Sequence, residues 1–359
     1  MSVSGPSVVI GAALHNRAEY LPEALDSLLA QSFEQFGLVL VDDGSTDDTE
    51  SVARAYEQRD RRVRYVKFDE RRGMVAAWRK AFEEATAAGA EYFAWGSDHD
   101  RWHPNWLATL VDTLEGHPEV VLAYPLTQRI DPAGMLLDKP ARRFETFGVE
   151  DWRARWSRIS HSDSLAAGDM VYGLARAEAL RRAGVFREVL CPDRLLVAEL
   201  TLQGQIRQVP ETLWIRRQFA EGSILRQRTT LFAPGAPRPS AHTPPWYLHA
   251  RSLWATYGRK EGSSLGLSRV EVSGLIVEYA TAYARRHYKK SSHPGFGKLQ
   301  RGLSLVLGWP RWVYKRAKHT LLLALYTVLI VLRKVGATPH VERLCARLTG
   351  RARPWRRST

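Results

Sequence analysis

Residues 92–104, YFAWGSDHDRWHP, place two carboxylates shortly after an apolar run. The run Tyr92–Trp95 is typical of a buried strand, and Gly96 and Ser97 separate it from Asp98 and Asp100. Burying two carboxylates is costly unless a cation or hydrogen bonds compensate for the charge. Carboxylate oxygens suit hard divalent ions such as Mg²⁺ or Mn²⁺, whose remaining ligands are often substrate phosphates. We predict an α/β fold. Ligands of open α/β sheets bind at the carboxyl ends of strands, so we also predict a metal–diphosphate site at this position.

Strand and helix patterns alternate on both sides of this stretch, from residue 7 to residue 125. Further strands are predicted at Ser7–Ala13, Leu38–Val41, Val63–Phe68 and Val120–Tyr124. Helices are predicted between them, one at Met74–Ala88 and an earlier one that Asn16 and Glu19 would cap. Short connections between strands and helices imply a mostly parallel sheet that is flanked by helices on both faces.

The patterns change after residue 125. Residues 126–222 are less regular, with helices predicted at Ala175–Arg182 and Leu195–Leu202 and a strand at Gln205–Val209. Residues 223–267 include APGAPRPSAHTPPW, whose prolines predict a loop or linker. Ser268 and Glu271 predict the start of a helix, and residues 268–359 are predicted to be a basic helical extension.

Positive charge is concentrated at the carboxyl-terminal end of the chain. The first 284 residues have 34 basic and 37 acidic side chains, whereas residues 285–359 have 18 basic side chains and one acidic one. In this tail, Thr320–Leu332 is an uncharged run of 13 residues, shorter than the roughly 20 that span a bilayer. Basic residues beside an apolar helix are typical of a segment lying in an anionic membrane surface. A buried helix or subunit contact is the alternative, and nucleic-acid binding is disfavoured because it accounts for the charge but not for the apolar run.

The amino terminus and the cysteines bear on location. Residues 1–14 lack a basic segment followed by a long apolar core, so no signal peptide is predicted. Cys191 and Cys345 lie far apart without CxxC spacing, which argues against a disulfide scaffold or a structural zinc site and favours a reducing compartment. Together with the basic tail, this predicts a cytoplasmic protein that is peripheral on the inner face of the cell membrane.

Two segments resemble a known family. Residues 7–49, SVVIGAALHNRAEYLPEALDSLLAQSFEQFGLVLVDDGSTDDT, are similar to the amino-terminal signature of family 2 glycosyltransferases. Asp98 and Asp100 fall where those enzymes have their D-x-D motif. Residues 186–217, FREVLCPDRLLVAELTLQGQIRQVPETLWIRR, look like the acceptor-side stretch of the family. The resemblance covers roughly residues 7–225.

The resemblance implies a GT-A fold and transfer of a sugar from a nucleotide-sugar donor to an acceptor hydroxyl, with inversion and a divalent metal. It predicts a catalytic domain over residues 1–222, with a nucleotide-binding half over 1–125 and an acceptor half over 126–222. The basic tail would bring this domain to a membrane, so the expected acceptor is a lipid-linked or cell-envelope glycan. Rival interpretations on the same fold are a nucleotidyltransferase and an inactive nucleotide-sugar-binding protein.

The resemblance also assigns roles to individual residues. Asp98 and Asp100 would hold the metal, Mn²⁺ or Mg²⁺, and Asp193 would be the catalytic base. Arg71, Arg72, Arg216 or Arg217 could assist at the phosphates. The residues expected to contact the nucleotide-sugar are Ala13, Asn16, Asp42, Asp43, Arg71, Gly73 and Asp98.

The sequence departs from the family pattern in places, and the acidic residues have structural alternatives. Ser97 and His99 stand where the family often has acidic residues, and Arg71-Arg72-Gly73 replaces its usual Asn-x-Gly. Asp98 and Asp100 would also suit a solvated loop after a strand. Turn and helix-capping roles would equally explain three further residues, Asp42, Asp43 and Asp193.

Overall fold

The computed structural model describes residues 7–162, 167–219, 227, 229–236, 243–258 and 266–290, with the backbone alone for 285–290. Described residues through Val272 form one compact unit, and those from Ser273 onward belong to a second. The described residues contain an eight-stranded sheet in the order β3-β2-β1-β4-β7-β6-β8-β5. The strands are β1 Val8–Leu14, β2 Phe36–Asp42, β3 Val63–Lys67, β4 Tyr92–Ser97, β5 Arg101–Trp102, β6 Val120–Ile130, β7 Leu174–Arg176 and β8 Gln205–Arg217.

Helices occupy most of the connections between these strands. The helices predicted at Met74–Ala88, Ala175–Arg182 and Leu195–Leu202 are present, with ends within three residues of the predicted ones. The helices are α1 Leu21–Leu29, α2 Thr49–Arg59, α3 Met74–Ala87, α4 Trp106–Glu115, α5 Trp152–His161, α6 Ala167–Met170, α7 Ala177–Ala183, α8 Pro192–Gln203, α9 Pro245–Leu253 and α10 Arg269–Lys290.

The sheet has a parallel half and a mixed half. β3, β2, β1 and β4 run parallel, so their carboxyl ends lie along one edge. β7 is antiparallel to β4 and β6, β5 is antiparallel to β8, and β6 is parallel to β8. The predicted α/β fold with flanking helices is confirmed, but the sheet is mixed rather than mostly parallel. β5 and β7 have two and three residues, too few to show periodicity in the sequence.

The apolar core follows the alternation of β1. Val8, Ile10 and Leu14 point to one face, where they join a buried cluster that includes Leu21 and Leu25 of α1. α3 packs against β1 and β2, and its residues are absent from that cluster among the described residues. The parallel half is therefore covered by helices on both faces, which leaves the strand ends as the place where polar side chains can gather.

The capping role predicted for Asn16 is wrong. α1 begins at Leu21 after Tyr20, with Pro22 in its first turn, where proline is tolerated. Asn16 has a left-handed backbone with a φ of 51°. Its Oδ1 accepts a hydrogen bond of 2.8 Å from the backbone N of Thr46. The side chain therefore joins the loops after β1 and β2 instead of starting a helix.

Two predictions for the second half need adjustment. The predicted loop or linker over 223–267 includes α9 and a π-helical turn at Trp254–Gly258, and α9 begins at the end of the proline-rich stretch in which no regular element was expected. Pro244 and Pro245 stand at the start of α9, where a missing N–H costs nothing.

The division predicted at residue 125 falls inside β6. β7 occupies the start of the helix predicted at Ala175–Arg182, and α7 follows it.

The carboxyl-terminal prediction is confirmed at its start. Ser268 Oγ accepts a hydrogen bond from the backbone N of Glu271, and the backbone N of Ser268 donates to Glu271 Oε2. This is a capping box, and α10 follows it directly. Among the described residues, no helix is long and apolar enough to cross a membrane. The apolar run Thr320–Leu332 lies outside the described residues.

Candidate active site

The carboxyl ends of β1, β2 and β4 bring three loops together. In the strand register, Leu14 lies opposite Asp42 and Ala13 opposite Ser97. His15, which follows β1, bonds to both neighbouring loops. Its Nδ1 lies 3.0 Å from the backbone O of Asp43, and its backbone N donates to Asp98 Oδ2 at 3.2 Å. The structure therefore places the acidic residues of the two predicted clusters at one edge of the sheet.

Asp42 supports the turn that follows β2. Its side chain is fully buried, and its two oxygens accept hydrogen bonds from the backbone N of Ser45 and the hydroxyl of Tyr65, both at 2.7 Å. Burial and the Asp42 carboxylate raise the pKa of Tyr65 well above its usual range. Tyr65 thus remains protonated and acts as a donor.

Asp43 joins the loop after β2 to the loop after β3. Its carboxylate accepts hydrogen bonds from the backbone N of Arg72 at 2.6 Å and of Gly73 at 2.9 Å. Burial raises the pKa of Asp43, and these two backbone donors oppose the rise. Arg71 Nε lies 3.7 Å from the carboxylate. Arg71 and Gly73, both predicted near the nucleotide-sugar, therefore share one loop held by Asp43.

Asp98 and Asp100 lie on either side of the His99 ring. His99 Nδ1 contacts Asp98 Oδ1 at 2.5 Å, and Nε2 lies 3.8 Å from Asp100 Oδ1. Asp100 is 2% exposed and accepts a 2.7 Å hydrogen bond from the backbone N of Arg217. Burial raises the pKa of Asp100, against the nearby charges of His99 and Arg216. Burial also opposes protonation of His99, yet Asp100 and Asp98 together hold its pKa above the ordinary value.

A divalent ion needs several oxygen ligands, of which this site offers two carboxylates. Within the described part of the chain, no three His, Cys, Asp or Glu side chains are grouped to hold a metal ion. Asp98 and Asp100 nevertheless offer oxygen ligands, and both residues are nearly fully buried, at 6% and 2% exposed. Mg²⁺ is often held by one or two carboxylates together with substrate phosphates. The two residues fit a divalent ion as part of a site that a bound diphosphate would complete.

Asp193 lies in the first turn of α8, directly after Pro192. Burial raises its pKa, while the backbone N and the charge of Arg194 and the charge of Arg216 oppose the rise. Gly168 shows how close Asp193 and Arg216 are. A Cβ added at Gly168 would lie 3.3 Å from Asp193 Oδ2 and 3.5 Å from Arg216 Nη1. The two side chains therefore approach the same point of the α6 backbone.

The last two residues of β8 serve different sides of the site. Arg216 Nη1 donates to the backbone O of Gly168 at 3.0 Å and to Asp169 Oδ1 at 2.7 Å. Arg217 instead donates from its side chain to the backbone O of His99 and of Pro132 and pairs with Glu23. The sequence offered both arginines as phosphate contacts without separating them. Asp169 stands in no recognisable motif, and nothing within the signature of residues 7–49 marked Glu23 as a partner of Arg217.

Described parts of the predicted linker pack against both sides of the site. Gln227 Oε1 accepts a hydrogen bond of 3.0 Å from the backbone N of Cys191, two residues before Asp193. The backbone O of Leu231 accepts one from Val75 at 3.3 Å, beside Gly73 at the start of α3. His249 Nε2 donates to the backbone O of Leu190 at 2.6 Å, and burial lowers the pKa of His249 to about 3.

Residues 7–163 match the family model described as Glycosyl transferase family 2. This stretch is therefore similar to family 2 glycosyltransferases, and the predicted resemblance is confirmed. A putative teichuronic acid biosynthesis glycosyltransferase of Bacillus subtilis is 32% identical over 97 residues, which are 27% of this chain and 37% of that protein. A glucosyl-dolichyl phosphate glucuronosyltransferase of Haloferax volcanii is 33% identical over 115 residues, 32% of this chain and 36% of that protein.

A solved structure supports the fold over a longer stretch. A crystal structure of S. aureus TarS in complex with UDP-GlcNAc matches with a TM-score of 0.53 at 16% identity. The match covers 80% of this chain and 74% of that one. At this identity the likeness concerns the fold, and the predicted GT-A fold is confirmed. The sequence matches span little more than a third of the lengths of the two curated relatives.

Proposed function

We propose that this protein is an inverting glycosyltransferase that moves a sugar from a nucleotide-sugar to an acceptor hydroxyl. The main support is geometric: Asp98 is bonded to the loop after β1, Asp100 to the backbone N of Arg217, and Arg216 lies close to Asp193, within a fold that resembles family 2 glycosyltransferases. Donor, acceptor and a base must meet at one point for this reaction. The strand ends and the start of α8 provide such a point.

The proposed roles follow from the positions of the side chains. Asp193 accepts the proton of the acceptor hydroxyl as its oxygen attacks C1 of the sugar. Arg216 lies beside Asp193 at Gly168, and donates to the oxygen that bears the growing charge when the bond from C1 to the diphosphate breaks. The nucleotide pocket is proposed along the loops that Asp42 and Asp43 hold, beside Ala13, Asn16, Arg71 and Gly73.

A divalent cation is proposed to bind at Asp98 and Asp100, where it would neutralise charge on the donor diphosphate. Asp100 is the more buried of the two, at 2% against 6% exposed. Its position is fixed by the backbone N of Arg217. Asp98 is fixed in turn by the backbone N of His15. Both carboxylates are therefore held in place before any ligand arrives.

Replacing Asp100 with Asn is expected to abolish metal-dependent donor binding. Wild type and Asp100→Asn are compared by calorimetry with UDP-GlcNAc, followed by other UDP-, GDP- and dTDP-sugars, each with and without Mn²⁺. One donor should bind to wild type in a metal-dependent way and bind at least tenfold more weakly to the variant, because a carboxylate ligand has been removed. Asp138→Asn, an exposed carboxylate, is the matched control and should bind like wild type. Donor binding that ignores both Mn²⁺ and the substitution would assign phosphate neutralisation to the arginines.

The proposed acceptor is a lipid-linked or cell-envelope glycan, and the protein is proposed to lie on the cytoplasmic face of an anionic membrane. Relatives named for teichuronic acid biosynthesis and for glucosyl-dolichyl phosphate support a cell-envelope or lipid-linked acceptor. The membrane part rests on the basic tail with its apolar run Thr320–Leu332.

Removing residues 300–359 is expected to abolish binding to vesicles that contain phosphatidylglycerol. The deletion removes both the apolar run and most of the excess positive charge, the two features that favour an anionic interface. Co-sedimentation with vesicles measures binding, and hydrolysis of the donor measures whether the remaining chain is intact. Unchanged sedimentation together with unchanged activity would refute the membrane role of the tail.

A further inference from the structure

Two arginines stand side by side in the mixed half of the sheet. Arg129 of β6 and Arg216 of β8 are register partners on parallel strands. Like charges opposite one another on neighbouring strands destabilise a sheet unless something lies between them. Asp169 of α6 bonds to both. Its Oδ1 and Oδ2 accept from Arg129 Nη2 at 2.9 and 2.7 Å, and Oδ1 accepts from Arg216 Nη1 at 2.7 Å.

Asp169 is buried behind Arg216, and Arg216 faces the site. The Asp169 residue is 4% exposed, whereas 34% of the Arg216 side chain is accessible. Burial opposes the charge on Arg216, but Asp169 and then Asp100 hold its pKa above the usual value. Asp193 also lies beside Gly168, close to the Arg216 guanidinium. The guanidinium therefore lies beside the proposed base, on the residue next to the one whose backbone N holds Asp100.

We infer that Asp169 is a positioning residue for sugar transfer, because it fixes the Arg216 guanidinium beside Asp193. This inference rests on the proposed function. Arg217 cannot take this place, since its side chain is occupied by His99, Pro132 and Glu23. Arg216 Nη1 is held by hydrogen bonds to Asp169 and to the backbone O of Gly168. Without Asp169, the guanidinium would lose the contact that sets its direction.

The bonds that form and break in sugar transfer define the role of the Arg216 guanidinium. The acceptor O–H bond breaks, its proton moves to the Asp193 carboxylate, and a new bond forms between the acceptor oxygen and C1 of the sugar. The bond from C1 to the diphosphate oxygen breaks with its electron pair remaining on that oxygen. Arg216 donates hydrogen bonds to the departing diphosphate, and Asp169 keeps those donors aimed at it. Misplacing such a group by about 1 Å can cost about a hundredfold in rate.

A double-mutant cycle distinguishes positioning from simple structural support. We compare Asp169→Asn, Arg216→Lys and the double variant in the full chain, using the donor that wild type turns over. Asp169→Asn should lower kcat by about 10- to 100-fold while the donor KM changes less than about threefold. The double variant should have the same kcat as Arg216→Lys alone, because Asp169 acts through Arg216.

Arg129→Met is the matched control for loss of stability. It removes the other partner of Asp169 and leaves the Asp169–Arg216 pair in place. Thermal unfolding should show that Arg129→Met and Asp169→Asn are both destabilised, whereas kcat should fall in Asp169→Asn alone. If Asp169→Asn does not fold, Asp169→Glu keeps the charge on a longer arm and should fold with lowered kcat.

Several outcomes would overturn the inference. One is a double variant whose loss of kcat is the product of the two single losses. Another is an equal loss of kcat in Arg129→Met and Asp169→Asn, which would make the cluster a structural unit. Wild-type kcat in the folded Asp169 variants would also overturn it. Wild type that turns over none of the donors would instead refute the proposed function, and this inference with it.

Discussion

Replacing Asp193 with Asn is expected to lower kcat by about 10²- to 10⁴-fold, the usual contribution of a general base. The amide is close in shape to the carboxylate but cannot take the acceptor proton. Donor affinity should stay within about twofold of wild type, because Asp193 lies on α8 and not on the loops held by Asp43. Single-turnover kinetics would give the rate constant, and calorimetry would give the donor affinity.

The pH dependence supplies an independent test of the same residue. Burial raises the pKa of Asp193 above its ordinary value of 3.8, and the base acts only when it is ionised. Activity should therefore fall on the acidic side as pH drops through this raised pKa, at a higher pH than an exposed aspartate would give. Asp112→Asn, on the exposed surface of α4, should keep the wild-type profile. Wild-type kcat in Asp193→Asn would remove Asp193 from the reaction.

The parallel half of the sheet could be predicted because its sequence signals are local. β1, β2 and β4 are continuous apolar runs, and an acidic or polar cluster follows each of them directly. Burial on both faces produces such runs, and the parallel direction brings their ends to one edge. A site at Asp98 and Asp100 could therefore be predicted from the end of a buried strand, whereas the role predicted for Asp43 came from the resemblance. The resemblance to family 2 glycosyltransferases then assigned a role to each of these acidic residues.

The features that were missed depend on contacts between distant parts of the chain. Asn16 looked like a helix cap because Glu19 follows at the right spacing, but its amide instead joins Thr46 across two loops. Asp169 became recognisable only once β6 and β8 placed Arg129 opposite Arg216. α9 was missed since its prolines resemble a linker, although they stand in its first turn. Hydrophobic periodicity is a local signal, so it does not report contacts between residues that are distant in the sequence.

Replacing Gly73 with Ala is expected to weaken donor binding by about tenfold or more, or about 1.4 kcal/mol. Gly73 has a φ of 89°, and an added Cβ would lie 2.5 Å from the backbone carbon of Phe232 and 2.8 Å from the backbone O of Leu231. Either the segment at Leu231 and Phe232 or the loop held by Asp43 must therefore move. A moved loop would lose the hydrogen bonds from Arg72 and Gly73 that hold Asp43.

Gly89 provides a control for backbone strain on the same helix. It follows the carboxyl end of α3, has a φ of 88°, and would have nothing within 4 Å of an added Cβ. Both substitutions should cost about 1–3 kcal/mol of stability through the unfavourable φ. Donor affinity should fall in Gly73→Ala alone, because that glycine also separates Asp43 from the segment at Leu231. Equal loss of donor affinity in both variants would show that α3 stability, not the loop held by Asp43, governs donor binding.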